Sequence, residues 1–190
     1  IGLGIARKFI EEGADVVINA RNTDELDSAV LLLENCNSVS GDVSNPEDAL
    51  KTITRAAEIL GGIDIVVCNV GSGSSVPPGQ ETYDEWQRVF AVNFFSATNL
   101  IEASLGFLEK SQGSVVCISS ICGSETIPGA PVTYSVAKSA LNTYVKEALS
   151  TDDLVNYDDF FHSIYRVSFE VEEIGKFNVI TNPIGNNFSS

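Results

Sequence analysis

Five short runs rich in β-branched residues, separated by stretches that favour helix, constrain this chain more than any other feature. They are ADVVINA (14–20), SVSGDV (38–43), IDIVVCNV (63–70), GSVVCISSI (113–121) and FNVIT (177–181). Several are apolar on both faces, which suits strands of a parallel sheet covered by helices on each side. The alternation predicts an α/β fold built on a doubly wound parallel sheet. With 190 residues, 44% of them hydrophobic, the chain has material for one buried domain and not for two ordinary ones.

The stretches between the runs carry helix-start chemistry. SNPED places Ser44 or Asn45 at a cap, Pro46 in the first turn and acids just inside, and TYDE at 82–85 reads as a capping box. Long helices are expected around 84–109 and 134–149. The pattern then changes: residues 150–175 are acidic and aromatic with neither helical nor strand period, and read as an insertion, a lid or a sequence error. No apolar run approaches the ~20 residues of a membrane helix, and no signal peptide is legible, so a soluble cytoplasmic chain is expected.

A formal net charge of -15 argues against nucleic acid and anionic membrane as partners, because the average field repels phosphate. Cys36, Cys68, Cys117 and Cys122 form no CxxC pair and have no neighbouring histidine. They read as reduced, mostly buried thiols, with no metal site expected. The chain lacks methionine and opens on IGLGIARKFI, inside what looks like a motif, so a fragment of a longer protein is expected.

Several motifs fall at the ends of the expected strands, where open α/β sheets bind ligands. Gly2 and Gly4 precede a helix; such glycines serve ordinary turns, or let backbone approach a pyrophosphate held by the helix N-terminus. At the end of the first run and just past it stand Asn19, Arg21 and Asn22, with no acid to meet a ribose 2′-hydroxyl. Arg21 is either a solvated surface residue or a partner for a 2′-phosphate, which favours NADP over NAD. GDV brings Asp42 and Val43 to a second strand end, and CNVGSGSS brings Asn69 and Gly71 to a third. In TYSVAKSAL, Tyr134 and Lys138 stand one helical turn apart on a common face. By itself this spacing describes an ordinary helix surface as well as a proton-transfer pair.

Taken in order, these residues resemble the short-chain dehydrogenase/reductase family, in its compact single-domain branch, over residues 1 to about 149 and again over 172–186. Gly2 matches the last glycine of the family's TGxxxGxG turn, Asp42 and Val43 its adenine-contacting pair, and Asn69 with Gly71 its NNAG motif, here CNVG with Val70 for alanine. Asn93 in AVNFF, Ser120 in CISSI, and Tyr134 and Lys138 match the catalytic tetrad. The interval from Ser120 to Tyr134 is one residue longer than the family pattern, which implies a slightly longer loop or leaves Ser119 as an alternative serine. NVITNPIGNN resembles the strand and Pro-Gly loop that approach the nicotinamide, which implies a cofactor contact for Pro183. The resemblance implies a single Rossmann-like domain lacking its first strand and its C-terminal strand. Since that first strand is central, a vacancy in the sheet is expected.

The resemblance also implies function: hydride transfer between NAD(P), preferentially NADP, and a small carbonyl or secondary alcohol, in a homo-oligomer. Ser120 would hydrogen-bond the substrate oxygen and Tyr134 would transfer the proton. Lys138 would tune Tyr134 and hold the nicotinamide ribose, while Asn93 would interrupt its helix to hold a relay water. A free tyrosine with a pKa near 10 serves as an acid, but the reverse oxidation needs phenolate, so nearby positive charge is required. His162, the single histidine, lies in the unmatched segment, which disfavours a Ser-His-Asp hydrolase. The alternatives are a non-catalytic dinucleotide-binding or scaffold protein, or an inactive fragment; a nucleotide-sugar epimerase would need a longer substrate domain.

Overall fold

The structure, a computed structural model, describes residues 1–148, 164–168 and 178–181. Its elements are α1 (Gly2–Glu11), β1 (Asp15–Ala20), α2 (Thr23–Leu33), β2 (Cys36–Ser40), α3 (Pro46–Leu60), β3 (Ile65–Cys68) and α4 (Tyr83–Phe90). A π-helical turn (Ala91–Phe95), α5 (Ser96–Ser111), β4 (Ser114–Ile118), a 3-10 turn (Ile121–Gly123), α6 (Val132–Ala148), β5 (Ile164–Ser168) and β6 (Asn178–Thr181) follow. The strands form one sheet in the order β2-β1-β6-β3-β4-β5, parallel except for β5, which runs antiparallel to β4.

Alternate residues along each strand feed opposite apolar layers. Val17, Val66, Cys68, Val115, Cys117 and Ile180 pack with α3, α5 and α6. Val16, Ile18, Val67 and Val179 pack with α1 and α2 on the other face. This is the doubly wound arrangement expected from runs apolar on both sides.

Helix starts follow the capping chemistry. The Asn45 side chain accepts from the N–H groups of Glu47 and Asp48 at 2.9 and 3.2 Å, with Pro46 in the first turn. Thr82 accepts from Glu85 N at 3.2 Å. The Glu85 carboxylate does not complete a reciprocal box; it takes hydrogen bonds from Ser75 and Arg88 instead. The helix expected over 84–109 is α4 and α5 joined through the π turn, and α6 ends at Ala148, beside the expected 149.

The expected vacancy is not found. β6 lies between β1 and β3, pairing Val179 with Val16 and with Ile65, and Ile180 with Val17 and with Val66. Asp64 N donates to Asn178 O at 3.0 Å, and Asn178 N to the Asp64 carboxylate at 2.7 Å. The residues NVIT, expected as the strand leading to the nicotinamide loop, therefore occupy the central place and not one beyond β4. The physical reason is that this slot offers two unpaired strand edges and two apolar faces. A short strand with Val179 and Ile180, 0% and 2% exposed, satisfies all four. Beyond β4 stands β5, from within the stretch read as an insertion; the remainder of 150–175, His162 included, lies outside the described residues. Among the described residues no helix is long and apolar enough to cross a membrane.

Candidate active site

The C-terminal ends of β1, β2 and β3 open onto a cleft of about 230 Å³ lined by Asn19, Ala20, Arg21, Asn22, Asp42, Val43, Val70 and Gly71, among others. Asn19, Arg21, Asn22, Asp42, Val43 and Gly71, all singled out in the sequence, thus meet in one place. Arg21 Nη1 stands 3.5 Å from the Asp42 carboxylate in an exposed pair. Partial burial works against ionisation of Asp42, but hydrogen bonds from the Ser44 hydroxyl and N–H, together with Arg21, hold its pKa below the ordinary value. Asn22 caps α2 by accepting from Glu25 N. Asn19 is 1% exposed and donates to Val39 O and Gly41 O, fastening β1 to the end of β2, so Arg21 is the cation at the rim.

Gly2 is buried in the first turn of α1, which packs on β1 and β6; Ile1 makes no side-chain cap there. Gly4 has open space around it. Pro183 lies outside the described residues, and the strand that leads to it holds the central place described above.

Asn69, 7% exposed, follows β3. Two residues on, a Cβ at Gly71 would lie 3.1 Å from both Asn93 Oδ1 and Lys138 Nζ, so a larger residue there would push these converging groups back by a few tenths of an ångström. Asn93 sits in the π turn, where the change of helical pitch places it against this loop. Its Oδ1 accepts from Ser72 N at 2.9 Å, and its Nδ2 donates to Ser72 O and Val89 O, each at 3.0 Å.

Lys138 is 3% exposed, and its Nζ donates to Ile118 O at 2.9 Å, at the end of β4. Burial lowers its pKa to about 8, against the opposing influence of Cys117 and Cys68, which face each other across β3 and β4. One turn earlier stands Tyr134, half-buried. The two serines after β4 are differently committed. The Ser119 hydroxyl, 8% exposed, donates to Asn142 Oδ1, whereas Ser120 Oγ accepts from Cys122 N at 3.2 Å and starts the 3-10 turn. Ser120 is the serine left available to a ligand. All four cysteines are free thiols.

Sequence reasoning missed a second set of contacts beside Tyr134. Ser75 Oγ donates to Glu85 at 2.7 Å and lies 2.6 Å from the hydroxyl of Thr133, so the loop after Gly71 is tied to α4 and to the first turn of α6. Arg88 above all, with Ser75, pulls the Glu85 pKa down to about 2. The TYDE signature located Glu85 at a helix start but gave no hint of this link.

The geometry places a glycine-relieved cleft, a buried lysine, a π-turn asparagine and a tyrosine at the C-terminal edge of one parallel sheet. The family model for Enoyl-(Acyl carrier protein) reductase matches residues 1–150. The chain belongs to the short-chain dehydrogenase/reductase family. It is 33% identical over 146 residues to human dehydrogenase/reductase SDR family member 2, mitochondrial, covering 74% of this chain and 52% of the relative. It is 35% identical over 147 residues to rat dehydrogenase/reductase SDR family member 4, with shares of 74% and 52%. This short-chain dehydrogenase/reductase chain thus spans about half the length of those relatives. A short-chain dehydrogenase/reductase from Burkholderia xenovorans superposes with a TM-score of 0.73 at 25% identity, over 78% of this chain and 61% of that one. An alcohol dehydrogenase from Thermococcus sibiricus, complexed with 5-hydroxy-NADP, shares the fold, with a TM-score of 0.69 at 23% identity over 76% and 64% of the two chains.

The buried lysine has a consequence for stability. Its folded pKa of about 8 lies below the ordinary 10.5, so between these values the unfolded chain binds more protons. Without ligand, the cost of the buried ammonium is fully present below about pH 8 and fades as pH rises towards 10.5; it amounts to about 3 kcal/mol. Lys138→Met removes that cost but leaves Ile118 O without its donor, so a net gain of about 2 kcal/mol is expected to raise the melting temperature at pH 7 by about 5 °C and to flatten the rise in stability over that alkaline window. Thermal and denaturant melts from pH 7 to 10.5 check both.

Proposed function

We propose that the protein is an NADP-preferring oxidoreductase interconverting a carbonyl and a secondary alcohol. The observation that supports this best is the convergence of Gly71, Asn93 and Lys138 at one point, on the face of α6 that carries Tyr134 and beside the cleft rimmed by Arg21. The bare Cα of Gly71 leaves a flat approach for a ring beside the lysine, and the cleft suits an adenosine with its 2′-phosphate at Arg21. These residues fit a nicotinamide dinucleotide, which when bound would supply the hydride.

The remaining work falls to the chain. Ser120 donates a hydrogen bond to the substrate oxygen and so orients it. Tyr134 gives its phenolic proton to the alkoxide as negative charge develops there; in the oxidative direction it takes the proton back as phenolate. Lys138 holds the nicotinamide ribose, and its hydrogen bond to Ile118 O fixes the position from which it acts. Asn93 holds the Ser72 peptide and so keeps the loop after β3 clear of the site. The substrate is a small carbonyl compound or secondary alcohol, and Trp86 and Phe90 of α4 with Phe94 and Phe95 of the π turn, Phe95 46% exposed, support assembly of copies through these helices.

Arg21 provides the test of cofactor choice. A charge-assisted contact to a 2′-phosphate contributes about 1.5–3 kcal/mol. Arg21→Ala is therefore expected to weaken NADPH binding by roughly 10- to 100-fold and to leave NADH binding nearly unchanged, as read by fluorescence titration. Equal weakening of both, or of neither, would remove the NADP preference.

A further inference from the structure

The hydrogen bonds that α6 sends to the loop after β4 extend one turn past the lysine. Tyr134, Lys138 and Asn142 recur every fourth residue and form one stripe along the helix. Asn142 is 6% exposed; its Oδ1 accepts from the Ser119 hydroxyl and its Nδ2 donates to Ser124 Oγ at 3.3 Å. Lys138 Nζ holds Ile118 O, and Ser139 Oγ donates to Gly123 O at 2.6 Å. The segment from Ile118 to Ser124 is thereby fastened to α6 at each end and in the middle.

Gly123 makes the fastening close. A Cβ there would meet Lys138 C at 2.8 Å, Asn142 Nδ2 at 2.9 Å and Lys138 O at 2.9 Å, so loop and helix backbones are in direct contact. Ser120 is extended, with φ -155° and ψ 151°, and in an extended segment neighbouring side chains point to opposite sides. Turning Ser119 inward to Asn142 therefore turns Ser120 the other way, out of the core. Free rotation of the Ser119–Ser120 segment would lose that choice.

We infer that Asn142 is a positioning residue: by accepting a hydrogen bond from the Ser119 hydroxyl it fixes the loop that presents Ser120 to the substrate oxygen. This role rests on the oxidoreductase reading given above. It predicts that the serine pair acts as one inward anchor and one outward contact, with Asn142 deciding which is which. Its effect falls on substrate orientation, since no contact of Asn142 reaches the Arg21–Asp42 cleft. A displacement of the serine by about 1 Å costs on the order of 100-fold in rate.

The experiment compares Asn142→Ala, Ser119→Ala and the double variant with the parent chain, using diacetyl, cyclohexanone and acetophenone as ketone probes. Hydrogen–deuterium exchange is read over residues 119–124. Asn142→Ala is expected to speed exchange there while β4 keeps its protection, and to lower kcat about 100-fold, with the NADPH dissociation constant within about twofold of the parent. Ser119→Ala, the milder change to folding, should reproduce that loss, and the double variant should add nothing to it. Unchanged exchange in both single variants, or losses that add, would overturn the anchor. A parent chain that reduces none of the ketones would overturn the enzymatic reading and the positioning role with it, a result separable from the exchange measurement.

Discussion

Tyr134→Phe is expected to lower turnover of ketones by about 1,000-fold while NADPH binds as tightly as to the parent chain. Phenylalanine keeps the ring that is half-buried at the start of α6, so the helix and the cleft should persist. What is lost is the hydroxyl, and with it the acid that quenches the alkoxide. Lys138 is not a substitute: its Nζ is engaged by Ile118 O and the residue is 3% exposed. Its ammonium lies below the surface, out of reach of a substrate. Steady-state rates with parallel fluorescence titration check the result. Retained turnover would refute the role given to Tyr134, and loss of binding together with turnover would mark a structural residue instead.

The second large effect is expected at the centre of the sheet. Ile180 pairs with Val17 on one side and Val66 on the other and packs into the layer covered by α3, α5 and α6. Ile180→Asp would bury an unpaired carboxylate there, at a cost above about 4 kcal/mol, against a total stability of about 5–15 kcal/mol for a domain. The variant should lose its cooperative thermal transition and its near-ultraviolet circular dichroism. Melting like that of the parent would mean that the slot between β1 and β3 is not filled by β6.

These two sites also mark the boundary of what the sequence discloses. Local pattern located β1, β3, β4 and β6 because a strand covered on both faces must be apolar at successive positions. It located the starts of α3 and α4 because Asn45 and Thr82 cap them with side-chain oxygens. It did not disclose the place of β6, since the order of strands in a sheet is set by which edges are left unpaired, and no residue in NVIT encodes its neighbours. The resemblance to a family pointed to the strand's role elsewhere, and the pairing corrected it.

In the site, the motifs led to Arg21, Asp42, Gly71, Asn93, Tyr134 and Lys138, and the fold gathers them along one edge. The choice between Ser119 and Ser120 could not be made from spacing. The proposed choice of Ser120 rests on Asn142, whose side chain takes up the Ser119 hydroxyl. The signal for Asn142 was present, because it continues the four-residue stripe of Tyr134 and Lys138, but an asparagine inside a helix has no chemistry of its own to draw notice. The link from Glu85 through Ser75 to Thr133 joins residues far apart in sequence and is visible only after folding.

The central claim is that Tyr134, supported by Lys138, moves the proton in a dinucleotide-dependent reduction carried out by this chain. A single-turnover experiment tests it most directly: NADPH is pre-bound to the parent chain and to Tyr134→Phe, each is mixed with diacetyl, cyclohexanone or acetophenone, and NADPH absorbance is followed. The account predicts that both chains bind NADPH and that only the parent oxidises it. Equal oxidation by the two chains, or a parent chain that binds no NADPH, would contradict it.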